Sequence, residues 1–263
     1  MNQKEDLYVI GFPKSGNTWL SRMLAEYTNS NINVTSKKNK LDSTENSKYR
    51  KGKYLIHKIH YTYELDRVKS AKKVYIVRDV RDSIVSGFFH NYRQYTEDEI
   101  KNSKLLTKLF NYEAQGINKK WQGSISARIK AKTYLALKTF ILRREKVNIG
   151  NWSDHVKYWT SFDNMVIARY EDLLENTEVE FNRVVTELGL NIKQESIKKV
   201  IDNQSFEKKK NAFLEKGDIQ NAKFLRSGKK ESWRNLIDKN LQHIIETEHK
   251  EVMKLLGYEV ETV

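Results

Sequence analysis

The chain has 263 residues, of which 38% are apolar and 31% charged, and it carries a formal net charge of +14. This length suits one well-cored domain and is short for two, so we expect a single domain over residues 1–263. The absence of cysteine excludes disulfides, thiolate zinc sites and a cysteine nucleophile. The positive charge favours an anionic ligand, whether nucleotide, nucleic acid or acidic lipid.

The apolar pattern predicts strands alternating with helices. Short apolar runs predict buried strands at residues 7–10, 54–56, 74–77 and 166–167, and helical spacing predicts helices at residues 19–27, 83–92, 181–188 and 241–256. Residues 29–53, rich in Asn, Ser, Thr and Lys, are predicted to form a surface excursion, and residues 93–150 a long, variable helical segment. The alternation predicts an α/β fold, with a central, mainly parallel sheet flanked by helices.

The first apolar run is too short for a secretory signal or a membrane span. We therefore expect a cytoplasmic protein that does not bind a membrane.

The segment between the first strand and the first helix has the composition of an anion-binding loop. It reads GFPKSGNTW at residues 11–19 and contains the chain's only proline. A loop that opens a helix presents unpaired N–H groups and the positive end of the helix dipole. Lys14 adds a full charge, and Gly16 allows close backbone approach. The Walker A pattern is absent, and the alternative interpretation is an ordinary strand-to-helix turn.

PKSGNTW resembles the 5′-phosphosulfate-binding loop of the cytosolic-type sulfotransferases, whose usual form is PKSGTTW. The resemblance implies a P-loop-like nucleotide-binding fold and transfer of a sulfuryl group from 3′-phosphoadenosine 5′-phosphosulfate (PAPS) to a hydroxyl or amine of a small-molecule acceptor. It also implies that Trp19 lies against the adenine. The residues that it implies for the 5′-phosphosulfate are Lys14, Ser15, Gly16, Asn17 and Thr18.

A second segment, YIVRDVRDSIVSGFF at residues 75–89, resembles the 3′-phosphate motif of the same family. Arg78 ends a predicted strand, and its planar guanidinium suits bidentate contacts with phosphate. Ser86 follows at the spacing of the family motif, so the resemblance implies both residues as 3′-phosphate ligands. Without the first loop, the charged residues of this segment would be read as an ion-pair cluster on the surface.

Four further segments resemble parts of the family pattern: RYEDL at 169–173, QSF at 204–206, FLRSGKKESWR at 224–234 and GNWSDHVK at 150–157. The resemblance implies that the first two line the purine and that the third closes over the 3′-phosphate. His155, in the fourth, is assigned to packing or to acceptor-side structure. The residues implied for the nucleotide are Tyr170, Gln204, Ser205, Phe206, Phe224, Leu225, Arg226, Ser227 and Gly228.

Sulfuryl transfer needs a base for the acceptor proton and positive charge at the leaving phosphate. LIHKIHY at residues 55–61 resembles the family segment that carries the catalytic histidine, which implies His60 as the general base. Lys58 could steady the transferring group, and Lys14 would stabilise the leaving oxygen. His57 lies close by but is not the histidine that the resemblance implies. No clustered cysteine or carboxylate site indicates a required metal.

Two other functions remain possible on the residues alone. A P-loop nucleotide kinase would suit the loop and the charge, although Walker A and a magnesium-binding aspartate are missing. A non-catalytic polyanion-binding module would suit the lysine-rich runs. We expect no specific nucleic acid partner, and the sequence does not indicate an oligomeric state.

Overall fold

The computed structural model describes residues 4–34, 51–60, 65–92, 151–191, 194–218, 222 and 228–261. The chain divides into two compact units, Met1–Asp79 with Asn148–Lys230, and Val80–Val147 with Glu231–Val263. The expectation of a single domain therefore stays a prediction. The expected helices of residues 93–150 lie outside the described residues.

The first unit contains a five-stranded parallel sheet. Its strands are β1 (Glu5–Ile10), β2 (Asn31–Val34), β3 (Tyr54–Ile59), β4 (Lys72–Val77) and β5 (Met165–Arg169), in the order β2-β3-β1-β4-β5. Every neighbouring pair is parallel. This confirms the predicted α/β class and its parallel sheet.

The central strands form because their apolar residues are continuous. β1 ends in four consecutive buried residues and β4 in five, the pattern of a parallel sheet covered on both faces. Leu7, Ile56 and Ile76 from three adjacent strands pack in one cluster with Leu20 and Phe181 from helices. Burying these side chains drives the assembly of the unit.

Two strand predictions were incomplete. β2 lies inside the region predicted as a surface excursion, where two asparagines, poor strand formers, obscure a four-residue edge strand. β3 extends three residues beyond the predicted end, because His57 and Lys58 interrupt the apolar run without ending the strand. Consequently His60 follows β3 directly.

The helices in chain order are α1 (Asn17–Tyr27), α2 (Leu65–Ser70), α3 (Val80–Tyr92), α4 (Trp152–Thr160), α5 (Tyr170–Glu175), α6 (Thr177–Glu187), α7 (Gln194–Asn203), α8 (Phe206–Glu215) and α9 (Lys239–Leu255). All except α3 and α9 belong to the first unit. The side chain of Asn151 caps α4 by accepting a hydrogen bond from the Asp154 N–H at 2.8 Å. This cap fixes the start of the helix that carries His155.

The second unit has a buried ionic centre. Arg81 of α3 donates to Glu246 of α9 at 2.6 Å, and both side chains are almost completely buried. The Arg81 guanidinium also lies 4.0 Å from the centroid of the Trp233 ring, in a 3₁₀ helix at Ser232–Asn235. The Asp82 carboxylate accepts the N–H of Trp233 at 3.1 Å. Arg81 and Asp82 thus hold this unit together and are not a surface ion-pair cluster.

Candidate functional site

The candidate residues of the first unit gather at one edge of its sheet. The anion loop, His60, Arg78 and Tyr170 directly follow the carboxyl ends of β1, β3, β4 and β5. Ile10 at the end of β1 is in register with Ile59 of β3. Because the strands are parallel, their ends meet at the edge where open α/β sheets bind ligands. The fold alone therefore brings four separate segments together.

The loop after β1 has the backbone geometry of an anion cradle. The Ser15 N–H donates to the Phe12 carbonyl at 3.1 Å, which closes a tight turn. Lys14 (φ 74°) and Gly16 (φ 106°) both adopt left-handed conformations. Gly16 is the N-cap of α1 and supplies no capping side chain, so no side chain competes with an anion for the first N–H groups of the helix. The Ser15 hydroxyl is buried and has no hydrogen-bond partner among the described residues.

Gly16 also lies against the wall formed by Tyr170. A Cβ atom at Gly16 would lie 2.7 Å from Cδ2 of Tyr170 and 3.0 Å from Cδ1 of Ile76. Every residue other than glycine would therefore meet both an unfavourable φ and a steric clash. The loop and the aromatic wall fit together only with glycine here.

Asn17 and Thr18 connect the loop to β3. Nδ2 of Asn17 donates to the carbonyl oxygens of Gly11 at 3.2 Å and of Ile59 at 3.5 Å. The Asn17 side chain therefore ties the ends of two strands together, and its backbone N–H is the group available to an anion. Nζ of Lys58 donates to Oγ1 of Thr18 at 3.4 Å, which places a lysine of β3 beside the loop.

Arg78 is held by the backbone of two loops. Its Nη1 donates to the Lys14 carbonyl and its Nη2 to the Lys229 carbonyl, each at 3.3 Å. Its guanidinium carbon lies 4.2 Å from the centroid of the Tyr170 ring. Arg78 is 6% exposed, so a surface ion-pair role is wrong for it. A buried cation at this place favours an anionic ligand.

The residues predicted to line the purine are joined by short contacts. The indole N–H of Trp19 donates to the Gln204 carbonyl at 3.1 Å, and the Trp19 and Tyr170 rings pack edge to face with centroids 6.0 Å apart. Ser205 is the N-cap of α8, and Phe206 is its first residue. A Cβ atom at Gly228 would lie 2.7 Å from the Phe206 ring. These contacts make one aromatic region beside the anion loop.

Some predicted site residues cannot be placed with the others. Phe224, Leu225, Arg226 and Ser227 lie outside the described residues. Ser86 lies on α3, in the second unit, with its side chain half-buried. Their roles as nucleotide ligands stay predictions.

His60 is oriented by a hydrogen bond to the loop. Its Nδ1 lies 2.8 Å from the Gly11 carbonyl oxygen. A carbonyl only accepts, so Nδ1 carries the proton and Nε2 keeps its lone pair. Burial, opposed by this hydrogen bond and assisted by the charges of Lys58 and Lys14, lowers the pKa of His60 from 6.5 to about 4. The imidazole is therefore neutral at physiological pH, as a general base must be.

His57, the histidine that the resemblance does not select, has different surroundings. Its Nε2 lies 2.7 Å from the Asp6 carboxylate, and its ring stacks on Tyr8 with centroids 4.7 Å apart. Its Nδ1 lies 3.4 Å from Nδ2 of Asn33, so one ring face and both ring nitrogens are used within the sheet, which indicates a structural histidine.

Two residues that the sequence analysis did not place in the catalytic site, Tyr75 and His155, are linked to His60 by hydrogen bonds. Tyr75 of β4 has its hydroxyl 2.9 Å from Nδ1 of His155, and Nε2 of His155 lies 3.2 Å from the His60 carbonyl oxygen. Burial lowers the pKa of His155 to about 4, assisted by the nearby His60 and opposed by this last bond. The GNWSDHVK segment marked His155 in the sequence, whereas Tyr75 looked like an ordinary core residue of its strand.

No group of three or more His, Cys, Asp or Glu side chains close enough to bind a metal ion occurs among the described residues. Within those same ranges, no helix has the length and apolar character needed to cross a membrane.

The comparisons with a family model, with known relatives and with solved structures agree with one another. The family model described as the sulfotransferase domain matches residues 4–257. Sulfotransferase 2A2 of Mus musculus is 22% identical over 266 residues, covering 89% of this chain and 79% of that protein. Sulfotransferase 2A1 of Homo sapiens is 23% identical over 263 residues, covering 88% and 78%. The crystal structure of mouse sulfotransferase SULT7A1 complexed with PAP has a similar fold, with a TM-score of 0.61 at 19% identity, covering 96% of this chain and 86% of that one.

Proposed function

Because the chain belongs to the sulfotransferase domain family, we propose that it transfers a sulfuryl group from PAPS to a hydroxyl or amine of a small-molecule acceptor. The observation that carries the proposal is the meeting of Lys14, Lys58 and His60 at the glycine loop. Both lysine charges are near enough to His60 to lower its pKa. Two cations and a neutral base beside an anion cradle are what sulfuryl transfer requires.

The loop residues fit the 5′-phosphosulfate end of the donor. The buried Ser15 hydroxyl has no partner among the described residues, and the N-terminus of α1 has no side-chain cap. Lys14, Gly16, Asn17 and Thr18 would complete the cradle through one ammonium group and the loop backbone. An anion would give the buried Ser15 hydroxyl the hydrogen-bond partner that the described residues do not supply.

The aromatic region fits the purine, and Arg78 fits the 3′-phosphate. Trp19, Tyr170 and Phe206 offer ring surface to a base, and Gln204 and Ser205 complete this wall. The Arg78 guanidinium already donates hydrogen bonds to the Lys14 and Lys229 carbonyls, so its position is fixed before an anion binds. We include Ser86 and the segment from Phe224 to Gly228 in the same proposal, on the family pattern.

In the proposed reaction, the donor supplies the sulfuryl group and a good leaving phosphate. Nε2 of His60 accepts the proton of the acceptor hydroxyl as the new oxygen–sulfur bond forms. Lys14 stabilises the charge that develops on the phosphate oxygen as the old sulfur–oxygen bond breaks. Lys58, whose ammonium group donates to Thr18 of the loop, steadies the transferring group.

The test is calorimetric titration with 3′-phosphoadenosine 5′-phosphate (PAP), AMP and ATP, without added metal. We expect PAP to bind at least tenfold more tightly than AMP, since Arg78 recognises the additional phosphate. Transfer is then followed with ³⁵S-labelled PAPS on a panel of phenols, alcohols, amines and sugars. Equal binding of all three nucleotides would contradict the proposal. Magnesium-dependent preference for ATP would favour a kinase, and salt-sensitive heparin binding without nucleotide preference would favour a polyanion-binding module.

A further inference from the structure

A buried line of hydrogen bonds links the anion loop to the proposed base. It runs from Phe12 through Tyr75 and His155 to His60, with distances of 2.9 Å from the Tyr75 hydroxyl to His155 and 3.2 Å from His155 to the His60 carbonyl. The backbone N–H of Phe12 supplies the first bond, to the Tyr75 oxygen. Tyr75 and His155 are each 0% exposed.

Donor and acceptor chemistry allows only one direction along this line. The His60 carbonyl can only accept, so Nε2 of His155 carries the proton and its Nδ1 must accept. The Tyr75 hydroxyl therefore donates to His155, and its oxygen accepts the Phe12 N–H. Burial raises the pKa of the Tyr75 hydroxyl above its usual range, which keeps the group protonated. Each polar group on the line is thus neutral and paired.

The sheet explains why such a link is needed. Phe12 and His60 both lie beyond the last paired residues of their strands, Ile10 and Ile59, so the ladder no longer fixes them. Tyr75, in contrast, is inside β4 and in register with Ile10. Its hydroxyl therefore connects a rigid strand to Phe12 directly and to His60 through His155 of α4.

We propose that Tyr75 and His155 are positioning residues, which fix the distance between the anion loop and Nε2 of His60. The inference rests on the proposed function, in which His60 is the base. A misplacement of about 1 Å can cost about 10²-fold in rate. We therefore expect Y75F to lower kcat by about 10- to 100-fold while the Kd for PAP and the KM for PAPS stay within about twofold.

Tyr158 provides a matched control. Its hydroxyl is also buried but has no hydrogen-bond partner among the described residues, so Y158F removes the same atom without breaking a hydrogen bond to any of them. We expect Y158F to retain wild-type kcat. At His155, H155Q keeps an N–H close to the position of Nε2 and should retain more activity than H155L.

A double-mutant cycle with H60A separates positioning from general damage to the fold. If Tyr75 acts through His60, Y75F lowers kcat in the wild type but has no further effect in H60A. An equal loss in both backgrounds would overturn the inference. Thermal unfolding of each variant shows that the measured proteins are folded.

A second measurement does not depend on turnover. Nitrogen-15 shifts of the His60 ring should show the Nδ1–H tautomer in the wild type and should change in Y75F but not in Y158F. Unchanged His60 shifts in Y75F would reject the positioning role. If the wild type fails to bind PAP or to transfer sulfate, the proposed function is wrong, and these shifts still decide whether Tyr75 positions His60.

Discussion

The burial of neutral His155 predicts a specific loss of stability in mild acid. The unfolded chain takes up a proton at this residue near pH 6.5, whereas the folded protein does so only near pH 4. Between these values the unfolded state binds more protons, so stability falls as the pH falls. A pKa lowered from 6.5 to about 4 reduces the free energy of unfolding by about 3 kcal/mol below pH 4, relative to neutral pH. About 2 kcal/mol of this reduction falls between pH 7 and pH 5.

H155Q tests this prediction because glutamine cannot titrate but can still donate to the His60 carbonyl. Urea unfolding followed by tryptophan fluorescence at pH 7 and pH 5 gives the free energy of unfolding of both proteins. Every other titrating group is common to the two, so the wild type should lose about 2 kcal/mol more than H155Q between these pH values. If both proteins lose the same amount, His155 is not held neutral by burial and the reasoning fails.

Three further predictions concern the proposed site. H60A should lower kcat about 10²- to 10⁴-fold and leave PAP affinity unchanged in calorimetry, whereas K14A should lower both kcat and PAP affinity. An equal loss of PAP affinity in H60A and K14A would argue against His60 as the base. R78A should reduce the preference for PAP over AMP by about 10-fold or more, and retention of that preference would misplace the 3′-phosphate site. G16A should lower the free energy of unfolding by about 1–3 kcal/mol through backbone strain alone, and by more through the clash with Tyr170. It should therefore unfold in less urea than the control G217A, since Gly217 also has a positive φ but a Cβ there would meet nothing within 4 Å.

Much of the candidate site around the anion loop could be predicted because it is local in sequence. The anion loop occupies nine consecutive residues, and Arg78 follows an unmistakable apolar strand. A turn, a helix N-terminus and a strand end can each be recognised in a short sequence segment. The fold then brings these segments to one edge of the sheet.

The support of His60 could not be predicted in the same way. Tyr75 and His155 are 80 positions apart, and their hydrogen bond exists only after β4 and α4 have packed. Tyr75 fits the apolar run of its strand, so nothing in the sequence pattern shows that its hydroxyl is used. The two-residue bridge made by Asn17 is equally long-range, since one of its acceptors, Ile59, is 42 positions away.

The two functions of β4 limit where residues can be inserted into the chain or deleted from it. This one strand carries both Tyr75, which reaches His60 through His155, and the position directly before Arg78. Deleting or inserting one residue within β4 would turn every following side chain to the opposite face of the sheet. His60 would then lose its link to Tyr75, and the Arg78 guanidinium would lose its two carbonyl partners, in the same event. Changes of chain length are therefore far less tolerable within β4 than in the connections between strands.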